Sequence, residues 1–259
     1  MLGALSSPIF LPLTAWLVTT TSWRTTILVD AAAIATAFLL AAALIPDHRI
    51  APNSLRSGRT AFAHAWRGPA FRRLLTAALL SGVAADIMLA FQVPIMRAAG
   101  LSLATAAAIA GVRGFAQLLG RIPLGYVLRR STAHFAFAFA QIAGAAAALL
   151  LLGAGVLALA ITFSLVAGAA TGASSPLLGI YTAELVEPSD LGLLLGVQQG
   201  LSGVAGAFGP IMVGVLLTST GSWIPAITLT AVGFAGAGII LLSGGAMLAD
   251  CSAPQPSCC

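Results

Sequence analysis

Apolar runs of membrane-crossing length recur from one end of this sequence to the other. About 30 Å of hydrocarbon is crossed by roughly 20 consecutive apolar residues in a helix. Stretches of that kind lie at residues 2–19, 25–45, 74–96, 103–128, 135–152, 156–181, 192–217 and 224–246. Runs this apolar leave most of each helix surface hydrocarbon rather than turned toward water. Only 7% of the residues are charged and 59% are hydrophobic, whereas a water-facing surface takes about 25% charged residues. The expectation is an all-α integral membrane protein of about eight transmembrane helices. The first run contains Pro8 and Pro12, which membrane helices tolerate.

The polar segments between the runs predict orientation. Segment 47–73 carries Arg49, Arg56, Arg59, Arg67, Arg72 and Arg73, and the next loop on the same side carries Arg129 and Arg130. Opposite loops carry only Arg24 and Arg97. Arginine-rich loops stay in the cytoplasm, so eight crossings leave both termini cytoplasmic, in the cell's inner membrane. Segment 47–73, with Pro52, Ser54, Ser57 and Gly58, reads as a linker with a surface helix through Phe62, Trp66 and Phe71. It separates two helices (1–46) from a six-helix bundle (74–248), and a tail follows at 249–259.

Function classes fall away on the same residues. The net charge of +5 comes entirely from arginine. Those arginines sit in short loops rather than along one face, which points to topogenic charge and against nucleic-acid binding. Cys251, Cys258 and Cys259 are confined to the tail and lack metal-ligand spacing. They read as incidental, with lipid attachment at Cys258-Cys259 as the alternative. No basic segment precedes the first run, so no cleaved signal peptide is expected. The sequence has no HExxH, nucleophile-elbow or phosphate-loop motif. Neither an enzyme nor a cofactor or metal is expected; the partners expected are lipid and a small solute.

Ionisable groups at membrane depth cost about 2.5–3.5 kcal/mol on insertion scales, so they call for a function. Asp86 and Arg113 both fall near the middle of their runs. They are candidates for a cavity-lining pair, released by a substrate anion or by a proton on Asp86; a static buried pair is the alternative. Arg113, Gln117 and Arg121 recur every four residues, forming one polar stripe. Arg121 is close enough to the helix end to snorkel to water. Gln92, Gln198 and Gln199 add uncharged hydrogen-bonding capacity. Gly200, Gly203, Gly206, Gly209 and Gly214 form a small-residue stripe, which reads as a packing face or, at Gly209-Pro210, as a point where the helix rocks.

Three motifs resemble the major facilitator superfamily. Ser7-Pro8-Ile9-Phe10-Leu11-Pro12-Leu13-Thr14-Ala15 with Ser22-Trp23-Arg24 resembles the family's fifth helix and following turn, Ser22 standing for a glycine. Gly120-Arg121-Ile122-Pro123-Leu124-Gly125-Tyr126-Val127-Leu128-Arg129-Arg130 resembles its helix-eight-to-nine signature. There Gly125 and Arg130 match, and Arg129 replaces the usual acidic residue. Glu184-Leu185-Val186-Glu187-Pro188, Leu191-Gly192 and the glycine stripe to Gly214 resemble the helix-ten-to-eleven region.

The resemblance implies a major-facilitator-like bundle lacking the first four helices, with two inverted three-helix repeats in its last six. It implies a secondary active transporter of a small solute by alternating access, ion- or proton-coupled. The Gln117 and Arg121 spacing is similar to the monocarboxylate-transporter-like branch, with the branch's carboxylate replaced by Gln117, and an organic anion is the solute class that implies. Gly125, Arg129, Arg130, Glu184, Glu187, Gly209 and Pro210 are the implied gating residues. A truncated, non-transporting fragment or interaction subunit is the alternative, with the missing helices or a partner chain completing the bundle.

Overall fold

The computed structural model describes residues 13–14, 16–17, 20–44 and 58–251, and every regular element among them is helical. Seven of the described helices are long and apolar enough to cross a membrane. The expected run at 2–19 lies mostly outside the described residues, as do 45–57 and 252–259. The chain divides into two compact units, Met1–Leu55 and Arg56–Cys259.

In the first unit, α1 (Trp23–Leu44) starts at Ser22, whose hydroxyl accepts the Thr25 N–H at 3.3 Å. A serine at that position caps a free helical N–H, which gives a physical role to the residue standing for the family's glycine. Leu28 and Phe38 are 70% and 72% exposed. An uncovered apolar helix of this kind needs an apolar solvent.

The second unit opens with α2 (Gly58–Arg67), the surface helix expected from the linker. Phe62 stacks on Trp66 at 5.8 Å and meets Phe71 edge-on at 6.3 Å. Phe71 belongs to the next helix, because Gly68-Pro69 interrupts the chain: proline suits a first helical turn but not a helix interior. The helices that follow are α3 (Pro69–Ala98), α4 (Leu103–Arg121), short α5 (Leu124–Leu128), α6 (Ala133–Leu150), α7 (Leu157–Leu185), α8 (Leu191–Thr220) and α9 (Ile224–Cys251). The run expected at 103–128 is therefore broken at Pro123, which has no N–H to continue the ladder. Conversely, α9 continues to Cys251, three residues into the expected tail, since no proline intervenes before Pro254.

The main contacts of these helices follow the order α8–α3–α9–α6–α7–α4. Exchanging α3 with α7, α4 with α8 and α6 with α9 returns the same set of contacts. Short turns make successive helices antiparallel, so the exchange relates helices of opposite direction, as in an inverted three-plus-three repeat. The exterior is apolar: Phe139 is 74% exposed, Val232 67% and Ile239 64%. The interior is small and dense, with alanines interleaved among buried Phe137, Phe163, Met88 and Leu177.

Candidate substrate and coupling site

Gln92 on α3 and Arg113 on α4 meet inside the bundle. The Arg113 Nη1 donates to Gln92 Oε1 at 3.3 Å, and the Gln92 amide nitrogen donates to the Leu89 carbonyl at 3.4 Å. Arg113 is only 5% exposed, and its Nε has no acceptor among the described residues. Asp86 does not take part. Six residues along an α-helix is about 9 Å and well over one and a half turns, so Asp86 and Gln92 occupy different faces of α3. The Asp86 carboxylate is half-buried against the bare backbone of Gly206 on α8. The expected Asp86–Arg113 pair is therefore not formed: α4 and α8 lie on different sides of α3.

Arg121 has a different partner. Pro176 inside α7 has no N–H, so the carbonyl four residues earlier, that of Gly172, loses its helical hydrogen bond. The Arg121 Nε donates to that carbonyl at 3.1 Å. Gln117, on the same stripe, sits with its backbone against Gly172. The three residues of the stripe thus face two tasks: Arg113 turns to α3, while Gln117 and Arg121 run along α7.

The α4–α7 seam is built on glycine. A Cβ on Gly120 would strike the Ala169 backbone, one on Gly168 the Arg113 backbone, and one on Gly172 the Gln117 backbone. Gly168 and Gly172 are a small-xxx-small pair that brings two membrane helices into backbone contact. Sequence reasoning singled out the α8 stripe and passed over this one. In α8, Gly206 and Gly209 do pack against α3, where a Cβ on Gly209 would lie 2.8 Å from Ile87. Gly200, Gly203 and Gly214 have nothing within 4 Å.

Gln198 is buried on α8 beside Thr182 of α7, whose hydroxyl lies 3.1 Å from Gln198 Oε1 and 2.7 Å from the Leu178 carbonyl. Gln199 is exposed on the wall of a separate cavity of about 240 Å³ lined by α3, α6, α7, α8 and α9. Gln141 on α6 lines it too, 1% exposed, donating through Nε2 to Ser174 at 3.4 Å. Sequence reasoning named the amides Gln92, Gln117, Gln198 and Gln199 but passed over Gln141. The available signal was a single amide in the otherwise apolar middle of its run.

Of the expected gating residues, Gly209 packs on α3 one turn from Gly206 and its contact Asp86, and those other than Gly209 and Pro210 lie at or near the helix ends. Gly125 is exposed on α5. Arg129 and Arg130 are exposed just beyond it, and the Arg130 guanidinium lies 4.8 Å from the centre of the Tyr126 ring. Glu184 near the end of α7 and Glu187 in the turn after it are exposed, and no ion pair joins Glu184 to either arginine among the described residues. Gly209 and Pro210 lie within a continuous α8.

A helical bundle with an apolar exterior, internal amides and a buried guanidinium belongs to the class of polytopic membrane proteins with polar sites between helices. The family model of the Major Facilitator Superfamily matches residues 74–249, so the chain belongs to that superfamily and is a membrane transporter of the major facilitator type. The match spans α3 to α9 and selects no branch within the superfamily; the monocarboxylate-like spacing gains no support from it. A comparison with curated proteins gives no match.

Proposed function

We propose that the chain moves a small solute by alternating access as ion- or proton-coupled secondary transport, with Arg113 as the charge whose partner changes during the cycle. The supporting observation is the guanidinium itself, buried with one side-chain hydrogen bond and an Nε without an acceptor. A purely architectural position in hydrocarbon is served better by a packed apolar side chain than by an uncompensated cation. A carboxylate reaching Nε, whether from a solute or from Asp86 after α3 turns about its axis, would satisfy the group. Protonation of Asp86 would then couple proton and solute movement. In this reading Arg129 and Arg130 with Glu184 and Glu187 form a cytoplasmic gate, and Gly209-Pro210 lets α8 rock. Segment 47–73 lies on the cytoplasmic side of the inner membrane.

An organic anion as the solute is a second reading, favoured by the same Nε. Uptake into liposomes by the reconstituted full chain tests the proposal. Arg113→Gln is expected to lose at least tenfold in uptake, with Arg113→Lys keeping part of it. Undiminished uptake by folded Arg113→Gln removes Arg113 from the mechanism. A chain that folds and binds solute without transporting is the outcome expected of a non-transporting membrane subunit.

A further inference from the structure

We infer that the cavity between α7 and α8 is a binding site for a neutral, hydroxyl-rich solute of polyol or monosaccharide size. The inference names the solute class within the proposed transport cycle, and it stands on groups other than Arg113. The cavity has about 240 Å³ and no ionisable residue on its wall. At about 30 Å³ per water this is room for a molecule displacing some eight waters. A carboxylate or an ammonium entering it would give up its hydration and meet no opposite charge. A neutral polar solute meets no such cost.

The wall's hydrogen-bonding groups are uncharged, and several of them have their donors already committed. Hydroxyls of Ser81, Thr171 and Ser174 donate their protons to the carbonyls of Ala78, Ala167 and Ala170 at 3.2, 2.8 and 2.8 Å. Each keeps only lone pairs for a ligand. Because the Ser174 proton is spent, Gln141 must present its amide nitrogen to that hydroxyl, as it does at 3.4 Å. This leaves Gln141 Oε1 buried and unpartnered. Ser202 Oγ, across the cavity on α8, is also buried without a partner among the described residues, and as a hydroxyl it can donate as well as accept. A buried polar atom left open is expensive, and the group that satisfies this set is one that both donates and accepts. Hydroxyls do so without charge.

The site also has a floor and an entrance. Phe137 and Phe234 are buried on its wall and offer apolar surface to the C–H face of a ring or chain. The helices carrying Ser175 and Gln199, α7 and α8, make few contacts with each other, and both residues are exposed. The entrance therefore lies between α7 and α8, a pair with little to separate when the bundle rearranges.

Equilibrium binding to the purified full chain in nanodiscs tests the inference, with xylitol and glucose as neutral probes and lactate as the carboxylate probe. No gradient is involved, so the result is independent of whether the chain transports. Both or either neutral probe is expected to bind in a Gln141-dependent way, and lactate is not. Gln141→Leu is expected to weaken that binding at least tenfold and Ser202→Ala several-fold. Phe139→Leu, on the outer face of α6, is expected to leave it within twofold. Each variant is checked for a single monodisperse peak, and Ser202→Ala, a small change, guards against misfolding of Gln141→Leu. The inference is overturned if neither neutral probe binds, so that the cavity holds water alone. Binding that both variants leave intact overturns it as well, as does lactate binding that depends on Gln141.

Discussion

Helix α7 carries three glycines and α8 seven, yet it is the sparser set that is the more tightly packed. In α7, Gly168 and Gly172 touch the backbone of α4, and no Cβ fits at either position. In α8, Gly200 and Gly203 face open space, and only Gly206 and Gly209 meet a neighbour. The α7 seam is also closed by a hydrogen bond, from Arg121 to the carbonyl that Pro176 leaves free. Pro210 likewise frees the carbonyl of Gly206 in α8, and no side-chain donor meets it among the described residues. Small residues therefore do two different things in one bundle. Where both partners present bare backbone they lock helices together; where one side is empty they leave a surface free to slide.

The largest effect is expected at the locked seam. Gly172→Val places two methyl groups into the Gln117 backbone, which cannot retreat without parting α4 from α7. Overpacking of this kind costs about 1–3 kcal/mol or more. The expected result is loss of the monodisperse species on size exclusion, and a normally folded Gly172→Val would refute the lock.

Arg121→Leu is next. It strands the Gly172 carbonyl, and losing a hydrogen bond from a charged donor costs about 1.5–3 kcal/mol. Chemical unfolding in detergent measures it. In the double variant with Pro176→Ala, the helix regains its own N–H for that carbonyl, and most of the loss should be recovered. A double-mutant cycle with no coupling would show that Arg121 acts elsewhere.

The intermediate case is Gly206→Ala. Its Cβ meets only the flexible end of Asp86, so the expected cost is about 1 kcal/mol, removed when Asp86 is also replaced by Ala. Equal costs in both backgrounds would place Asp86 away from α8.

The smallest effect on stability belongs to Gly200→Ala. Open space and a better helix residue predict a gain of about 0.5–1 kcal/mol. If α8 slides during transport, the same variant lowers uptake while it raises the unfolding midpoint. A gain in both would end the distinction between the two helices.

Much of this fold was legible before any coordinates. Run lengths near 20 residues and the scarcity of charge leave lipid as the only solvent that fits, and the Gly68-Pro69 break follows from proline's missing N–H. The candidate site was legible only in part. Arg113 stands out because a cation at depth is rare, whereas Gln141, being neutral, carries no such flag. Depth alone paired Asp86 with Arg113, but depth is one coordinate and a helix face is another. Asp86 turns to α8 and Gln92 to α4, so the amide became the partner.

What the sequence determined by itself, then, was the solvent, the helices and their alternating direction, because each follows from local composition and hydrogen-bonding capacity along one chain. What only the tertiary structure decided was which small residues are locked and which are free. It also decided which polar atoms find partners, and that an uncharged polar cavity opens between α7 and α8. Those outcomes depend on what the facing helix presents within about 4 Å, and residues far apart in sequence supply it.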